Sequence, residues 1–200
     1  MTALRKTPVA LTPKAAPFAI RAERACDVVA REALLDACFG EDRHMRSCQR
    51  LRDGRAPAEG LALSAVARGR FVGTVRLWHV SAGGIPALLL GPLAVNSAYR
   101  KLGVGAALMD HALAAARTRG HRAALLLGDA PYYARFGFSA DKTGGLNLPG
   151  AFERERLLGL EFVCGALDGA WGTIVPTGAH LAKPKATRAR KSLRVAAAVA

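Results

Sequence analysis

The sequence predicts a mixed α/β (α+β) fold in which helices flank a central, largely antiparallel sheet. Segments with helical and with strand periodicity alternate along the chain, which fits neither an all-helical nor an all-strand protein. Several successive strands are separated by glycine turns too short to hold a helix, which is typical of antiparallel hairpins. The apolar runs around 87–95 and 123–127 show no alternation, which indicates strands buried on both faces.

Length and composition exclude several classes of protein. The chain has 200 residues, of which 51% are hydrophobic and 22% charged, a globular rather than a disordered composition. Its longest apolar run, Ala87–Val95, is interrupted by Gly91-Pro92 and is far shorter than the ~18 residues of a membrane-spanning helix. We therefore expect one globular domain and no membrane partner.

Basic residues are concentrated at the two ends of the chain. There are 29 Lys and Arg against 15 Asp and Glu, a formal net charge of +14. Three basic residues precede residue 18 and six follow residue 180, whereas every acidic residue lies between Glu23 and Asp168. The central part is therefore much closer to neutrality, which argues against a charge-dominated nucleic-acid binder.

This distribution predicts three segments. We expect a flexible leader over 1–17, a folded domain over 18–180 and a basic, disordered tail over 181–200. Two interpretations of the tail stay open, a solubilising end and a salt-dependent contact with an anionic partner such as nucleic acid.

The four cysteines predict a reducing environment. None forms a C-x-x-C pair, and Cys26 and Cys38 fall within an apolar helical pattern, which indicates buried thiols. Pro8 and Pro13 interrupt the basic N-terminal stretch, so it does not have the form of a secretory signal. We expect a cytoplasmic location, and no cluster has the spacing of a metal site.

The N-terminal part contains a strand and two helices. A strand over Phe18–Ala22 is followed by a helix over Cys26–Phe39, with Asp27 as its N-cap and Gly40 as its end. Apolar residues repeat in this helix at three- and four-residue spacing: Val29, Ala30, Ala33, Leu34, Ala37 and Cys38. A shorter helix is predicted over Met45–Arg52.

The middle of the chain is predicted to be strand. Leu61–Ala67 and Phe71–Val80 form a hairpin around Gly69, because a glycine suits its tight turn. The unalternated run Pro86–Val95 forms a central strand. Its internal Gly91-Pro92 predicts a bulge or bend, because proline has no N–H to donate to a ladder.

The C-terminal part alternates between helix and strand. An amphipathic helix is predicted over Gly103–Arg119 and ends at Gly120. A buried strand over Ala123–Leu127 follows, and then a short helix over Pro131–Gly137, which begins with proline. Two late strands are predicted over Leu157–Cys164 and Trp171–Val175.

The loop before the amphipathic helix is suited to bind an anion. It reads Arg100-Lys101-Leu102-Gly103-Val104-Gly105. The first turn of a helix has unpaired N–H groups and a partial positive charge, and the glycines let a phosphate approach the backbone. No Lys-Ser or Lys-Thr follows Gly105 and Leu108 replaces the third glycine of a dinucleotide fingerprint, so neither common nucleotide motif fits.

The loop and its surroundings resemble the GNAT superfamily of acetyl-CoA-dependent N-acetyltransferases. The hexapeptide has the form R-x-x-G-x-G, and it follows the strand Leu93-Ala94-Val95 and opens a long helix. Tyr133–Phe138 looks like the Y-x-x-x-G-F signature of the family. Over roughly 18–175 the chain is most similar to bacterial members with L-G-P-L-A-V and Y-Y-x-R-F-G-F motifs.

The resemblance implies acetyl-CoA as cosubstrate. The family's bulged strand would hydrogen-bond the pantetheine arm and thioester, and the loop amides would cradle the pyrophosphate. The residues that this places at the cosubstrate are Leu93, Ala94, Val95, Arg100, Lys101, Leu102, Gly103, Val104, Gly105 and Ala106. We expect no metal in the reaction.

The resemblance also implies direct transfer of the acetyl group to a primary amine. Tyr133 matches the family's acid tyrosine by its spacing to Gly137, and it would protonate the leaving thiolate. Two alternatives stay open: Tyr132 is the neighbour that sequence can confuse with it, and Tyr133 is also suited to pack under the CoA arm. A strand amide is the candidate oxyanion donor.

The general base departs from the family pattern. Many members have a glutamate on the strand that here reads Leu88-Leu89-Leu90. Asp129 is the candidate in its place, and its other interpretation is a cap of the short helix. Further candidates, in a loop that borders the acceptor pocket in the family, are Glu41, Asp42 and His44. Deprotonation through water, or an amine that arrives neutral, also stays open.

The acceptor and the oligomeric state are not identified by the sequence. Loops over 41–59 and 143–150 are expected to form the two walls of the acceptor pocket, and the excess of arginine in the first hints at an anionic or mixed-charge acceptor. Homodimers are frequent in the family. A GNAT-fold module that binds CoA without transferring acetyl is the alternative function.

Overall fold

The computed structural model describes residues 17–181. The predicted leader up to residue 16 and the basic tail from residue 182 lie outside the described residues, so the three-segment division stays a prediction. Within the described part, the strands are β1 Ala19–Ala22, β2 Ala62–Ala67, β3 Arg70–Ala82, β4 Ile85–Val95, β5 Ala123–Leu127, β6 Leu146–Asn147, β7 Leu157–Glu161 and β8 Gly172–Pro176. The α-helices are α1 Val28–Phe39, α2 Val104–Thr118 and α3 Ala130–Ala134.

The strands form one sheet in the order β1-β2-β3-β4-β5-β7, with β8 beside β3 and β6 beside β8. Of the pairings between strands, β4 with β5 and β6 with β8 are parallel and the others are antiparallel. The predicted mixed fold with a largely antiparallel central sheet is therefore confirmed. No helix among residues 17–181 is both long enough and apolar enough to cross a bilayer.

The central strands are buried on both faces, as the unalternated runs predicted. Leu88 and Leu90 of β4 pack into one cluster with α2, whereas Leu89 packs into a second cluster on the other face of the sheet. The same split occurs in β5, where Leu126 joins the first cluster and Leu125 the second. The sheet is thus a middle layer, and the apolar clusters on its two faces hold β4 and β5 in place.

The predicted hairpin is present. Arg68 and Gly69 connect β2 to β3 with φ angles of 49° and 73°. Two successive positive φ angles are the geometry of a type I′ turn, whose twist matches that of the flanking strands. The glycine at the second position takes this conformation without steric cost.

The N-terminal helix differs from its prediction. It begins at Val28, so Cys26 lies in a preceding 3-10 turn and is exposed rather than buried. Val29, which the apolar periodicity included, is 82% exposed. The buried face instead contains Arg31, because its guanidinium is paired with Glu23 at 2.5 Å. A buried ion pair therefore overrides the hydrophobic pattern in this helix.

Asp27 does not cap α1 with its side chain. Its carboxylate instead accepts two hydrogen bonds from Arg21, at 2.6 and 2.8 Å, and one from the backbone N–H of Arg24 at 2.8 Å. The hydroxyl of Ser64 on β2 donates a further bond at 3.1 Å. The Arg21 guanidinium, followed by these other donors, holds the pKa of the Asp27 carboxyl well below its usual range.

We expect Asp27→Asn to lower the free energy of unfolding by about 2 kcal/mol at pH 7, because it removes the charged acceptor of the half-buried Arg21 guanidinium. A carboxyl whose pKa is depressed by folding stabilises the protein above its unfolded pKa of about 4, and this contribution is lost as pH falls. Urea unfolding at pH 7 and pH 3.5 measures both effects. The variant should lose less stability on acidification than wild type, whereas Asp141→Asn at an exposed site should behave like wild type.

The remaining differences lie in short elements. The helix predicted over Met45–Arg52 is two 3-10 turns, Glu41–Met45 and Ser47–Leu51, because the extended backbone of Arg46 separates them. The two-residue strand β6 was not predicted, since it is too short to give a periodic signal. The late strands and the short helix occur close to their predicted places with shifted ends.

Candidate functional site

Strands β4 and β5 separate before β4 ends. They pair only at Leu88 with Ala124 and at Leu89 with Leu125. On its other side β4 stays paired with β3 as far as Val95, after a register shift at the predicted position of Gly91-Pro92. The predicted bulge is therefore confirmed, and a V-shaped opening lies between the carboxyl ends of the two strands.

The N-terminus of α2 lies beside this opening. Gly103 is its N-cap with a φ of 78°, a conformation that favours glycine. The first helical hydrogen bond runs from the N–H of Ala107 to the carbonyl of Gly103. The N–H groups of Val104, Gly105 and Ala106 precede this ladder, so they are available to an anion.

A cavity of about 370 Å³ joins the opening to the helix N-terminus. Seven of the ten residues predicted at the cosubstrate line it: Leu93, Ala94, Val95, Arg100, Gly103, Gly105 and Ala106. The other three do not. Lys101 and Leu102 are exposed outside it, and the Val104 side chain is fully buried in the core.

Leu93 and Val95 turn their backbone polar groups toward the cavity. The N–H of Asn96 donates to a carbonyl of β3 at 2.8 Å. Because these groups alternate sides along an antiparallel strand, Ala94 also faces β3, whereas Leu93 and Val95 face away from it. The Val95 carbonyl accordingly accepts from Arg100 Nε at 3.4 Å. The strand amides suited to an oxyanion are therefore those of Leu93 and Val95.

A second, larger cavity of about 1110 Å³ adjoins the first. The two share the side chains of Phe39, Leu93, Arg100 and Tyr132, so they are continuous. Its walls are the 3-10 turns after α1, the ends of β4 and β5, the start of α3, and the segment 150–156. Residues of both loops predicted to wall an acceptor pocket are present, although only Gly150 of the glycine-rich 143–150 loop lines it.

Tyr133 lines the larger cavity from the start of α3. Its ring packs edge-on to Phe138 with centroids 6.1 Å apart, and it lies against the backbone of Gly128, where a Cβ would overlap it. Burial, followed by the neighbouring Tyr132 and Asp129, raises the pKa of Tyr133 to about 12. The hydroxyl is therefore a fully protonated donor at neutral pH.

Tyr132 lies where the two cavities meet. A Cβ built on Gly105 would be 3.0 Å from its hydroxyl, so the phenol stands over the glycine loop. The Cζ atom of Arg135 lies 4.2 Å from the centroid of the Tyr132 ring. Burial raises the pKa of the Tyr132 hydroxyl. Sequence reasoning named this residue only as a neighbour, because spacing to the glycine signature does not show which ring faces the loop.

Asp129 lies at the N-cap position of α3, but its side chain makes no capping hydrogen bond. It is exposed and lines the larger cavity, so the structure favours the cavity over the capping interpretation. Of the strand Leu88–Leu90, only the apolar side chain of Leu90 lines this cavity. Other candidate bases lie outside the lining of both cavities: Glu41, Asp42 and His44. Within residues 17–181, no group of three His, Cys, Asp or Glu is arranged to hold a metal ion.

The larger cavity also contains arginines that sequence reasoning did not place. They are Arg43, Arg46, Arg50 and Arg52 from the 3-10 turns and Arg156 from the opposite wall. The signal that could have found them is the excess of arginine in 41–59, but a charged loop gives no indication of which side chains turn inward.

Comparison with known proteins identifies the family. Residues 29–138, more than half of the chain, match the model of the acetyltransferase (GNAT) family. The crystal structure of the GNAT family N-acetyltransferase YhbS from Escherichia coli in complex with CoA is 28% identical, with a TM-score of 0.69 over 84% of this chain and 93% of that one. A GNAT family acetyltransferase from Brucella melitensis in complex with acetyl-CoA is 27% identical, with a TM-score of 0.60 over 80% and 96%.

No curated protein matches the chain significantly. The match to the family model decides the assignment, and the two similar structures agree with it. The chain belongs to the GNAT acetyltransferase family.

Proposed function

We propose that the protein is an N-acetyltransferase that binds acetyl-CoA and transfers its acetyl group directly to a primary amine. The observation that carries this proposal is the opening between β4 and β5, which leads from the amides of α2 to a separate large cavity. One ligand can thus lie along the opening while a second reaches its inner end. The similar structures with CoA and with acetyl-CoA support the same assignment of the smaller cavity.

The residues of the smaller cavity suit a CoA molecule. The N–H groups of Val104, Gly105 and Ala106 would bind the pyrophosphate, because a helix N-terminus and its dipole favour an anion. Arg100, beside them, adds a positive charge. The exposed Lys101 would act at the rim of the site rather than inside it.

The two cavities together supply the groups that the transfer requires. The amide of Leu93 or Val95 would donate to the carbonyl oxygen as negative charge develops there. Tyr133 would give its proton to the departing thiolate. Asp129 would accept the proton of the amine, directly or through water. An arginine-rich cavity also favours the neutral form of an amine, because nearby positive charge disfavours the ammonium.

A module that binds CoA without transferring acetyl is the second candidate. It is favoured by one observation, the lack of a carboxylate on Leu88–Leu90, whose side chains are buried in the two core clusters. Among the described residues, the acidic side chains that line the larger cavity are then Asp129 and Glu153.

Two measurements test the proposal in sequence. Isothermal titration with acetyl-CoA should give a Kd in the micromolar range, near −8 kcal/mol. Release of CoA thiol is then followed with a panel of primary amines, with the acetylated product identified by mass spectrometry. Binding together with amine-dependent thiol release supports the transferase. Binding without release from any amine favours the module, and an absence of binding contradicts both.

A further inference from the structure

The larger cavity has an excess of positive charge. Six arginines line it, and its acidic residues are Asp129 and Glu153. Arg43 is neutralised from behind by Glu32 and Asp36, at 2.6 and 2.7 Å. In the described part of the chain, the other arginines of this cavity have no such pair of carboxylates.

Three of the remaining arginines differ in how they are paired. Arg156 lies 3.6 Å from Glu153. Arg46 donates to the carbonyl of Phe39 at 2.9 Å, and Arg50 donates to the carbonyl of Pro149 at 3.0 Å. The positive charges of Arg46 and Arg50 are not compensated by these contacts, because each guanidinium donates to a neutral carbonyl. Their backbone contacts hold them at the cavity wall.

Arg52 is the most informative of the set. Its Nε is buried and has no hydrogen-bond partner among the described residues. A buried donor without an acceptor costs free energy, and native proteins rarely leave one unless an ion, water or ligand completes it. Burial also lowers the pKa of the Arg52 guanidinium, because desolvation disfavours its charged form.

The rest of the chain has no carboxylate side chain to supply that partner. Every Asp and Glu of the sequence lies between Glu23 and Asp168, within the part of the chain that the structure describes. Asp53, next to Arg52 in sequence, accepts from Gln49 at 2.7 Å instead. Among the described residues, therefore, no carboxylate is hydrogen-bonded to the Arg52 Nε.

We propose that Arg46, Arg50 and Arg52 bind an anionic group, a carboxylate or a phosphate, on the acceptor amine. This inference rests on the proposed function and names the class of its acceptor. These three arginines line the larger cavity and not the smaller one, so they are separate from the helix N-terminus assigned to the CoA pyrophosphate. A guanidinium binds carboxylate and phosphate through paired N–H donors, whereas a polyamine would meet like charge here.

Four amines of similar length test the charge preference. They are β-alanine, 2-aminoethylphosphonate, propylamine and 1,3-diaminopropane, which differ at the end opposite the amine. Isothermal titration into the CoA-bound protein should show the carboxylate or the phosphonate binding about tenfold tighter than propylamine, with the diamine weakest. The order of the two anionic probes tells whether a carboxylate or a phosphate is the better ligand.

Arginine variants test the residues. Arg52→Gln should remove the preference for the anionic probes while CoA itself binds as tightly as before. Arg122→Gln, an exposed arginine at the other end of β5, removes the same charge outside the cavity and should keep the preference. If thermal unfolding shows that Arg52→Gln does not fold, the exposed Arg46→Gln carries the same test.

The outcomes separate this inference from the proposed function. Propylamine or the diamine binding as tightly as the anionic probes would overturn it, as would an unchanged preference in the variants or no binding of any probe. An equal loss of CoA binding in Arg52→Gln would assign the arginines to the cosubstrate instead. If the anionic probes bind but are not acetylated, this inference is supported and the proposed transferase activity is contradicted. If neutral amines alone are acetylated, the transferase activity is supported and this inference is contradicted.

Discussion

Gly105→Glu is expected to weaken acetyl-CoA binding by about 100-fold or more, beyond detection by titration at ordinary protein concentrations. A Cβ at this position would lie 3.0 Å from the Tyr132 hydroxyl and 3.6 Å from a methyl group of Val95, inside the smaller cavity. The added carboxylate would therefore occupy the space that we assign to the pyrophosphate. Its negative charge would also repel the negatively charged pyrophosphate.

The fold should tolerate this substitution. Gly105 lies in the first turn of α2, where a glutamate interacts favourably with the helix dipole. Its backbone is not among the positive-φ positions, so a side chain causes no backbone strain. Loss of binding with an unchanged circular dichroism spectrum would thus report on the site and not on unfolding.

Two variants serve as controls. Ala114→Glu adds the same charge to the exposed face of the same helix and should leave acetyl-CoA binding unchanged. Gly105→Ala adds only the Cβ and should have an intermediate effect, because the Tyr132 hydroxyl has to move by a few tenths of an ångström. Acetyl-CoA binding by Gly105→Glu within a few-fold of wild type would refute the placement of the pyrophosphate.

The parts of the site that the sequence predicted are those with a local physical cause. Proline cannot donate to a ladder, so Gly91-Pro92 alone indicates the bulge that lets β4 leave β5. The glycines at 103 and 105 mark a helix start that is open to an anion. The unalternated Leu88–Leu90 indicates a strand covered on both faces. Each inference needs only a few neighbouring residues.

The parts that the sequence did not predict depend on contacts between distant segments. Arg31 is buried because it pairs with Glu23, which also pairs with Arg76, and hydrophobic periodicity has no means of anticipating such a network. Arg52 turns into the larger cavity because Leu51 anchors its 3-10 turn in the core. The inward side of an irregular arginine-rich loop follows from tertiary packing rather than from periodicity.

Asp129 is a residue whose two interpretations the sequence alone does not separate. An aspartate before a helix that starts with proline is a common cap, and sequence reasoning kept that interpretation open beside the catalytic one. In the structure the Asp129 carboxylate makes no capping bond and lies at the larger cavity.

Tyr133→Phe is expected to lower kcat by about 10²- to 10³-fold with little change in the KM for acetyl-CoA, the range typical of a lost general acid. The substitution removes only the hydroxyl. The ring keeps its edge-on contact with Phe138 and its place against Gly128, so the core should be preserved. Single-turnover thiol release with saturating acetyl-CoA measures the effect on the transfer itself.

Tyr132→Phe is the matched control for this prediction. Its hydroxyl stands over the glycine loop next to Gly105, so its loss should act on acetyl-CoA binding more than on kcat. Because the pKa of Tyr133 is raised to about 12, the proton donor stays protonated through the neutral range, and wild-type kcat should show no decline from its ionisation below about pH 10. A Tyr133→Phe variant with wild-type kcat would assign this ring to packing alone. A large kcat loss confined to Tyr132→Phe would move the proton donor to the neighbouring phenol.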